Sequence, residues 1–452
     1  MINTLNLRET VLDMLMEITR DKVPSHVVLA RTLAKYQYLD KRDRAFLSRL
    51  TQGTLEYQVQ LDYMIEQFSS VKINKMKPVI RNILRMAVYQ LKYMDSVPDS
   101  AACNEAVKLA ARKGFGKLKG FVNGVLRNIA RNLDHIPYPD RDTDRRMYLA
   151  VKYALPLWLV DFWTQAYGAE YVEAMGEAFL ETKSTTVRCC DPEKAIELKA
   201  SLAASGILVE EGGYLPYALK ISGYDHLTGI EAFQRGAFTV QDESSMLAVL
   251  AAGITKGQTV MDVCASPGGK SAFASALAGR TGKVYARDLT DAKVDMIREN
   301  VERMALDNVE VQTWDALVLK EEDICKADVV LADLPCSGLG ILGKKPDIKW
   351  NMSLPQMEEL SGLQRRILTI VSRYVKPGGT LVYSTCTVNP AENEDNVLWF
   401  TKNHPFKLDS LIPYLPKALH KSTAAGGFLQ MFPGIHQTDG FFIARMKRIG
   451  EG

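Results

Sequence analysis

The 452-residue chain has no apolar run approaching the roughly 20 residues that cross a bilayer, so no membrane span is expected. Its first twenty residues lack a cationic head followed by a continuous apolar stretch. They read as an amphipathic helix (Leu5, Leu12, Leu15, Met16) and not as a signal peptide. Cysteine is scarce and unpatterned: seven residues, an odd number with no ladder of spacings, and Cys189 adjacent to Cys190. That excludes a disulfide framework and places the chain in a reducing cytoplasm. There is no Cys-x-x-Cys and the six histidines are scattered, so no metal site is expected. No Gly-x-Gly-x-x-Gly occurs at the turn after the strand-like run 259–264. Gly268-Gly269-Lys270-Ser271 fails as a triphosphate loop because Cys264 stands where that loop needs glycine.

Large net charge is also missing, but the balance of +3 conceals an asymmetry. Residues 1–140 carry 22 Lys+Arg and 14 Asp+Glu, a net of +8, which leaves 3 − 8 = −5 for the rest. A basic front half points to a polyanionic partner. That half reads as helical throughout. It contains one stretch where Arg112, Lys113, Lys117, Lys119 and Arg127 surround Phe115 and Phe121 with glycines between. Cations, stacking rings and flexible backbone suit RNA phosphates, whereas a plain helix corner would put both rings in the core. Lys345 and Lys349 join these as candidate RNA contacts.

The chain is too long for one ordinary domain. Composition shifts suggest a helical domain over 1–140, then a helical linker with a small α+β unit over 141–235. Beyond that, 236–450 alternates strands and helices. Strand-like runs at 259–264, 283–288, 309–313, 328–333, 380–385 and 440–446 imply a parallel sheet covered on both faces, with ligands at the strands' carboxyl ends.

The expected chemistry falls at those ends. The turn Cys264, Ala265, Ser266, Pro267, Gly268, Gly269, Lys270 follows an apolar strand and opens a helix. Glycine lets backbone approach a ligand, and a helix N-terminus offers free N–H donors. The methionine carboxylate of S-adenosylmethionine suits them. Asp288, Asp315 and Asp333 end the next three strands, as acids for ribose, adenine and the target base. Cys336 and Cys386 close two strand-like runs. Methylating carbon 5 of cytosine needs covalent activation. A thiolate adds to carbon 6, an acid serves ring nitrogen 3, and a further group releases product. Cys386, Asp333 and Cys336 supply these three.

Asp262-x-Cys264-Ala265-x-Pro267-Gly268-Gly269-Lys270, Asp333-x-Pro335-Cys336-Ser337-Gly338 and Ser384-Thr385-Cys386 resemble the motifs of RNA cytosine-5 methyltransferases. Pro346-Asp347-Ile348-Lys349-Trp350 and the helical front narrow this to the bacterial enzymes acting on 16S ribosomal RNA. The resemblance spans essentially the whole chain. It implies an all-α front domain like the antitermination factor NusB and a Rossmann-like class I S-adenosylmethionine-dependent catalytic domain. It also implies Cys386 as nucleophile, Cys336 in release, and residues 264–270 with Asp288, Asp315 and Asp333 holding the cofactor. The implied substrate is cytosine 967 in 16S rRNA or a small-subunit precursor, served by a monomer. One departure stands out: Arg188-Cys189-Cys190 occupies a strand where the family usually reads Arg-x-Asn. An amino-group methyltransferase would need a second proline and an aromatic after Asp333. A non-enzymatic assembly factor would not need the full set of reactive residues.

Overall fold

The computed structural model describes residues 5–181 and 184–450, which divide into two compact units. The first is Met1–Glu181 together with Leu342–Asn351; the second is Thr182–Ile341 with Met352–Gly452. The expected three-part division is thus drawn differently. The helical linker joins the front domain, and the small α+β unit joins the catalytic part.

The first unit is a helical bundle. Its helices start where the sequence caps them: Asn6 accepts from Glu9 N–H, Asp40 from Asp43 N–H and Asp144 from Met147 N–H, and Pro78 opens Pro78–Tyr93. That last helix is the axis of the core, buried almost continuously from Ile80 to Leu91. Its buried polar side chains Arg85, Asn82 and Gln90 are partnered, while Arg81 Nε is buried without a hydrogen bond. Arg85 makes a bidentate pair with Asp62 (2.6 and 2.7 Å), Asn82 donates to Thr19, and Gln90 accepts from Arg8. Burial without these partners would destabilise the bundle by a few kcal/mol per group.

The second unit contains two sheets. The smaller has strands β1 (Thr185–Cys189), β2 (Leu208–Glu211), β3 (Ala218–Ser222) and β4 (Phe238–Val240) in the order β2-β3-β1-β4, all antiparallel. It packs Val187, Leu219, Ile221 and Phe238 with Leu198 and Leu202. The larger has β5 (Thr259–Asp262), β6 (Lys283–Asp288), β7 (Val309–Thr313), β8 (Ala327–Asp333), β9 (Val375–Thr385), β10 (Phe406–Leu408), β11 (Phe428–Met431) and β12 (Phe441–Arg448). The order is β10-β12-β9-β8-β5-β6-β7, with β11 paired to β12.

The expectation of a purely parallel sheet is corrected here. Strands β5 to β9 are parallel, but β12 runs antiparallel to β9, β10 and β11. Strand β9 also starts five residues before the expected 380. Pro377 and Gly378 (φ +73°) read as a turn, and a register irregularity absorbs them. Among the described residues, no helix is long and apolar enough to cross a membrane.

Candidate active site

The turn after β5 feeds the helix Gly269–Ala278. Gly268 caps it at φ +105°, in the left-handed region, and a Cβ there would stand 3.4 Å from Ile297 Cγ2. The left-handed φ is what requires glycine here, the Ile297 contact being an ordinary one. No side chain caps this helix, so its first N–H groups stay free for an anion. The turn is fixed from below: Ala265 N–H donates to Arg287 O (2.8 Å) and Ser266 N–H to Asp288 Oδ2 (3.0 Å). A cavity of about 90 Å³ lies over it, lined by residues 264–267, Gly269, Lys270, Gln241, Ser245 and Asp333. A larger groove of about 860 Å³ opens at the amino ends of β6 and β7, around Arg280, Lys283 and Asn308, and holds none of the expected residues.

The strand-end acids fare differently. Asp288 is buried and already accepts from Ser266 N–H, Leu289 N–H and Lys293 Nζ, which leaves little of its capacity for a ligand. Asp315 does not line the cavity; its Oδ1 accepts from Leu317 N–H two residues on. Asp333 sits at the cavity wall. Its Oδ2 takes Lys270 Nζ at 2.5 Å and its Oδ1 takes Ser384 Oγ at 2.8 Å. Burial alone would lower the Lys270 pKa, but Asp333, Asp262 and Cys386 outweigh it and leave the ammonium raised. Asp262, fully buried, accepts from Ser271 Oγ at 2.7 Å while its Oδ1 has no partner; burial pushes its carboxyl up to about 7.

Register brings the two thiols together. Strands β8 and β9 are parallel neighbours with Asp333 opposite Ser384, so the chains leaving them emerge side by side. Leu334 N–H still bonds Ser384 O, and Gly340 N–H bonds Cys386 O. Cys336 Sγ and Cys386 Sγ stand 3.4 Å apart, both half-buried. The neighbouring Cys386 sulfur, burial and the Glu392 charge hold the Cys336 thiol well above its ordinary range. Cys264 packs into the core, and burial raises its thiol far beyond reactivity.

Sequence reasoning missed a polar cage under these loops. Buried Glu392 accepts from Ser337 and Gln364 on one side and Asn389 on the other. Nothing in a Pro390-Ala391-Glu392-Asn393 helix start marks it as anything but a cap. Arg188, 2% exposed, lies over the Phe273 ring and donates to Gln241 Oε1 at 2.7 Å, orienting a wall residue of the cavity. Cys190, the departure from the family pattern, meets Met304 Sδ at 3.7 Å, a soft contact where an amide would seek a polar one.

Of the expected RNA contacts, Lys117 and Lys119 are exposed on the turn before the helix Lys119–Asn132. Arg112 and Lys113 pair with Glu9 and Asp13, and Arg127 donates to Asn104. Phe115 and Phe121 pack against the bundle core. Lys345 is half-buried. Lys349 is a correction. It is 3% exposed, its Nζ donates to Glu56 O (2.7 Å) and Ala154 O (3.0 Å), and it has no face left for a phosphate. It anchors Leu342–Asn351 within the helical unit, with Trp350 Nε1 donating to Leu55 O and Asp347 accepting from Ser25. Among the described residues no group of three or more His, Cys, Asp or Glu side chains is placed to hold a metal ion.

The profile of the 16S rRNA methyltransferase RsmB/F family matches residues 249–447, and that of the NusB family matches residues 5–131. The probable ribosomal RNA small subunit methyltransferase B of Bacillus subtilis is 37% identical over 98% of this chain and 99% of its own length. The corresponding Synechocystis protein is 32% identical over 98% and 100%. The crystal structure of PH0851 superposes at a TM-score of 0.80, with 26% identity, over 98% of this chain and 99% of that one. A free helix N-terminus and a glycine turn over a lysine–aspartate pair fit S-adenosylmethionine, the methyl donor of such enzymes. The chain belongs to the ribosomal RNA small subunit methyltransferase B family, with a NusB-type helical domain ahead of a Rossmann-like methyltransferase fold.

Proposed function

We propose that this protein forms 5-methylcytosine in 16S ribosomal RNA, at cytosine 967 by resemblance, through a covalent bond between Cys386 and ring carbon 6. The observation that carries this reading is the 3.4 Å approach of two half-buried thiols beside the Lys270–Asp333 pair. Amino-group methylation has no use for such a pair.

Bound S-adenosylmethionine supplies an electrophilic methyl group on a sulfonium centre. Cofactor binding falls to the turn 264–270 and its free helix N–H groups, with Asp288 bracing the turn. Lys270 lies near the Cys386 sulfur, whose charge favours the ammonium. Its addition to carbon 6 gives carbon 5 the electron density it lacks in the free ring. The Lys270–Asp333 pair presents a proton for ring nitrogen 3. After methylation, carbon 5 gives its proton to solvent and nitrogen 3 returns its proton to the Lys270–Asp333 pair; the ring double bond re-forms and the sulfur–carbon electron pair returns to Cys386. Cys336, held protonated, donates its S–H to that departing sulfur and favours its leaving as the anion. Exposed Lys117 and Lys119 on the helical unit serve RNA phosphates.

The test is bisulfite mapping of 16S rRNA from cells with the wild-type gene and with Cys386→Ala. One conversion-resistant cytosine is expected in the first and none in the second, while purified Cys386→Ala still binds labelled S-adenosylmethionine. A methylation pattern unchanged by the substitution would exclude the assignment.

A further inference from the structure

Glu392 carries a charge that the chemistry above does not use. Its side chain is wholly buried. Oε2 accepts from Ser337 N–H (2.9 Å) and Gln364 Nε2 (2.9 Å); Oε1 accepts from Ser337 Oγ and from Asn389 Nδ2 (2.8 Å). All four donors are neutral. A buried carboxylate without a cation is expensive, and a core built only for stability would be better served by an apolar side chain.

The donors have a pattern. Ser337 directly follows Cys336, and Asn389 lies three residues beyond Cys386. Gln364, from the helix Leu354–Val371, also donates to Pro335 O at 2.9 Å, on the other side of Cys336. A second tie runs in parallel, from Ser337 Oγ to Thr387 Oγ1 at 2.7 Å. The carboxylate therefore binds the segment on each side of one thiol to the segment that carries the other. Four hydrogen bonds to one ionised group fix that spacing far better than apolar packing would.

We propose that Glu392 is a positioning residue which, through Ser337 and Asn389, holds the Cys336 loop against the Cys386 loop so that the Cys336 thiol meets the sulfur leaving the RNA adduct. The proposal rests on the covalent reading above. Its charge acts in the same direction, disfavouring a thiolate at Cys336 and keeping that residue a donor.

The experiment uses the full chain with Glu392→Gln, Ser337→Ala, Cys336→Ala and the double variant Glu392→Gln/Cys336→Ala. Three quantities are read: labelled S-adenosylmethionine bound, methyl groups transferred to 16S rRNA, and the RNA–protein band surviving a denaturing gel. Glu392→Gln is expected to bind cofactor and form the band, but to turn over up to about thirtyfold more slowly, since misplacing the Cys336 thiol cannot cost more than removing it. The band accumulates as it does in Cys336→Ala, and the double variant adds little, because both changes strike one step. Ser337→Ala, which keeps the backbone N–H bond, shows the same defect in weaker form and decides the matter if Glu392→Gln does not fold. Wild-type turnover in a folded Glu392→Gln, or loss of adduct formation with cofactor binding intact, overturns the proposal. So does wild-type behaviour of Ser337→Ala when Glu392→Gln fails to fold. If Cys336→Ala forms no band and Cys386→Ala still methylates, the covalent reading itself falls, and this proposal with it.

Discussion

Asp262 is a costly side chain in the catalytic unit, and its removal is a quantitative test of the site's electrostatics. It ends β5 with no exposure, one oxygen bonded to Ser271 and the other unpartnered. Burial raises its pKa from 3.8 to about 7. Folded protein therefore binds a proton that unfolded chain has lost between about pH 4 and 7. This is the reverse of the salt-bridged carboxylate, and stability falls as pH rises through that window. A shift of about 3 units corresponds to about 4 kcal/mol, fully felt above pH 7 and only about 1–2 kcal/mol of it at pH 5. Asp262→Asn keeps an acceptor for Ser271 but places an unpartnered amide N–H₂ in the core, at about 1–3 kcal/mol. The variant should be more stable than wild type by about 1–3 kcal/mol at pH 8, with the gain shrinking or reversing at pH 5. Urea unfolding at the two pH values measures this. Cofactor affinity should weaken, since Asp262 is one of the acids that holds the Lys270 ammonium in place. An Asn variant less stable than wild type at pH 8, or a difference flat in pH, would refute the assignment of an ionised, desolvated carboxylate beneath the cradle.

Cys336→Ala removes a thiol donor 3.4 Å from the leaving sulfur. A hydrogen bond to a charged group is worth about 2 kcal/mol, so release should slow about thirtyfold and leave a retarded RNA–protein band on a denaturing gel. No band means that the release role is misassigned. Charge reversal at exposed Lys117 and Lys119 should reduce the slope of log affinity against log salt by about 0.7–0.9 for each phosphate that is no longer neutralised. Lys349→Met should leave that slope unchanged, because Lys349 Nζ is engaged by two carbonyls inside the helical unit. The opposite ranking would place the RNA path elsewhere.

The catalytic strands were legible because a parallel strand buried on both faces is a short apolar run, and here each run ends in a chemical residue. Val260 to Asp262, Val284 to Asp288 and Val329 to Asp333 all show it. The antiparallel edge was not. Strands of three and four residues, such as Phe406–Leu408 and Phe428–Met431, are too short to show a period, and their pairing with β12 depends on partners far along the chain. Residue type predicted charge but not its surroundings. Lys349 looked like a phosphate ligand, yet its stem is sheathed by the helical bundle and its ammonium sits on backbone carbonyls. Arg188 looked like half of a damaged motif, yet it is intact as the support for Gln241.

The same distinction separates the two cysteines from the group that holds them. Each thiol ends a run that announces a strand, and neighbouring parallel strands deliver their ends to one place, so their meeting could be read from order alone. Glu392 lies six residues past Cys386 and 56 past Cys336 in the chain. Its role exists only because Ser337 and Gln364 arrive from elsewhere to surround it. Sequence exposes groups whose chemistry is intrinsic, such as a thiol or a glycine turn. A carboxylate that acts by accepting four neutral hydrogen bonds has no signature until the donors are in place. That is why the two thiols were apparent early and the carboxylate proposed to hold their loops together was not.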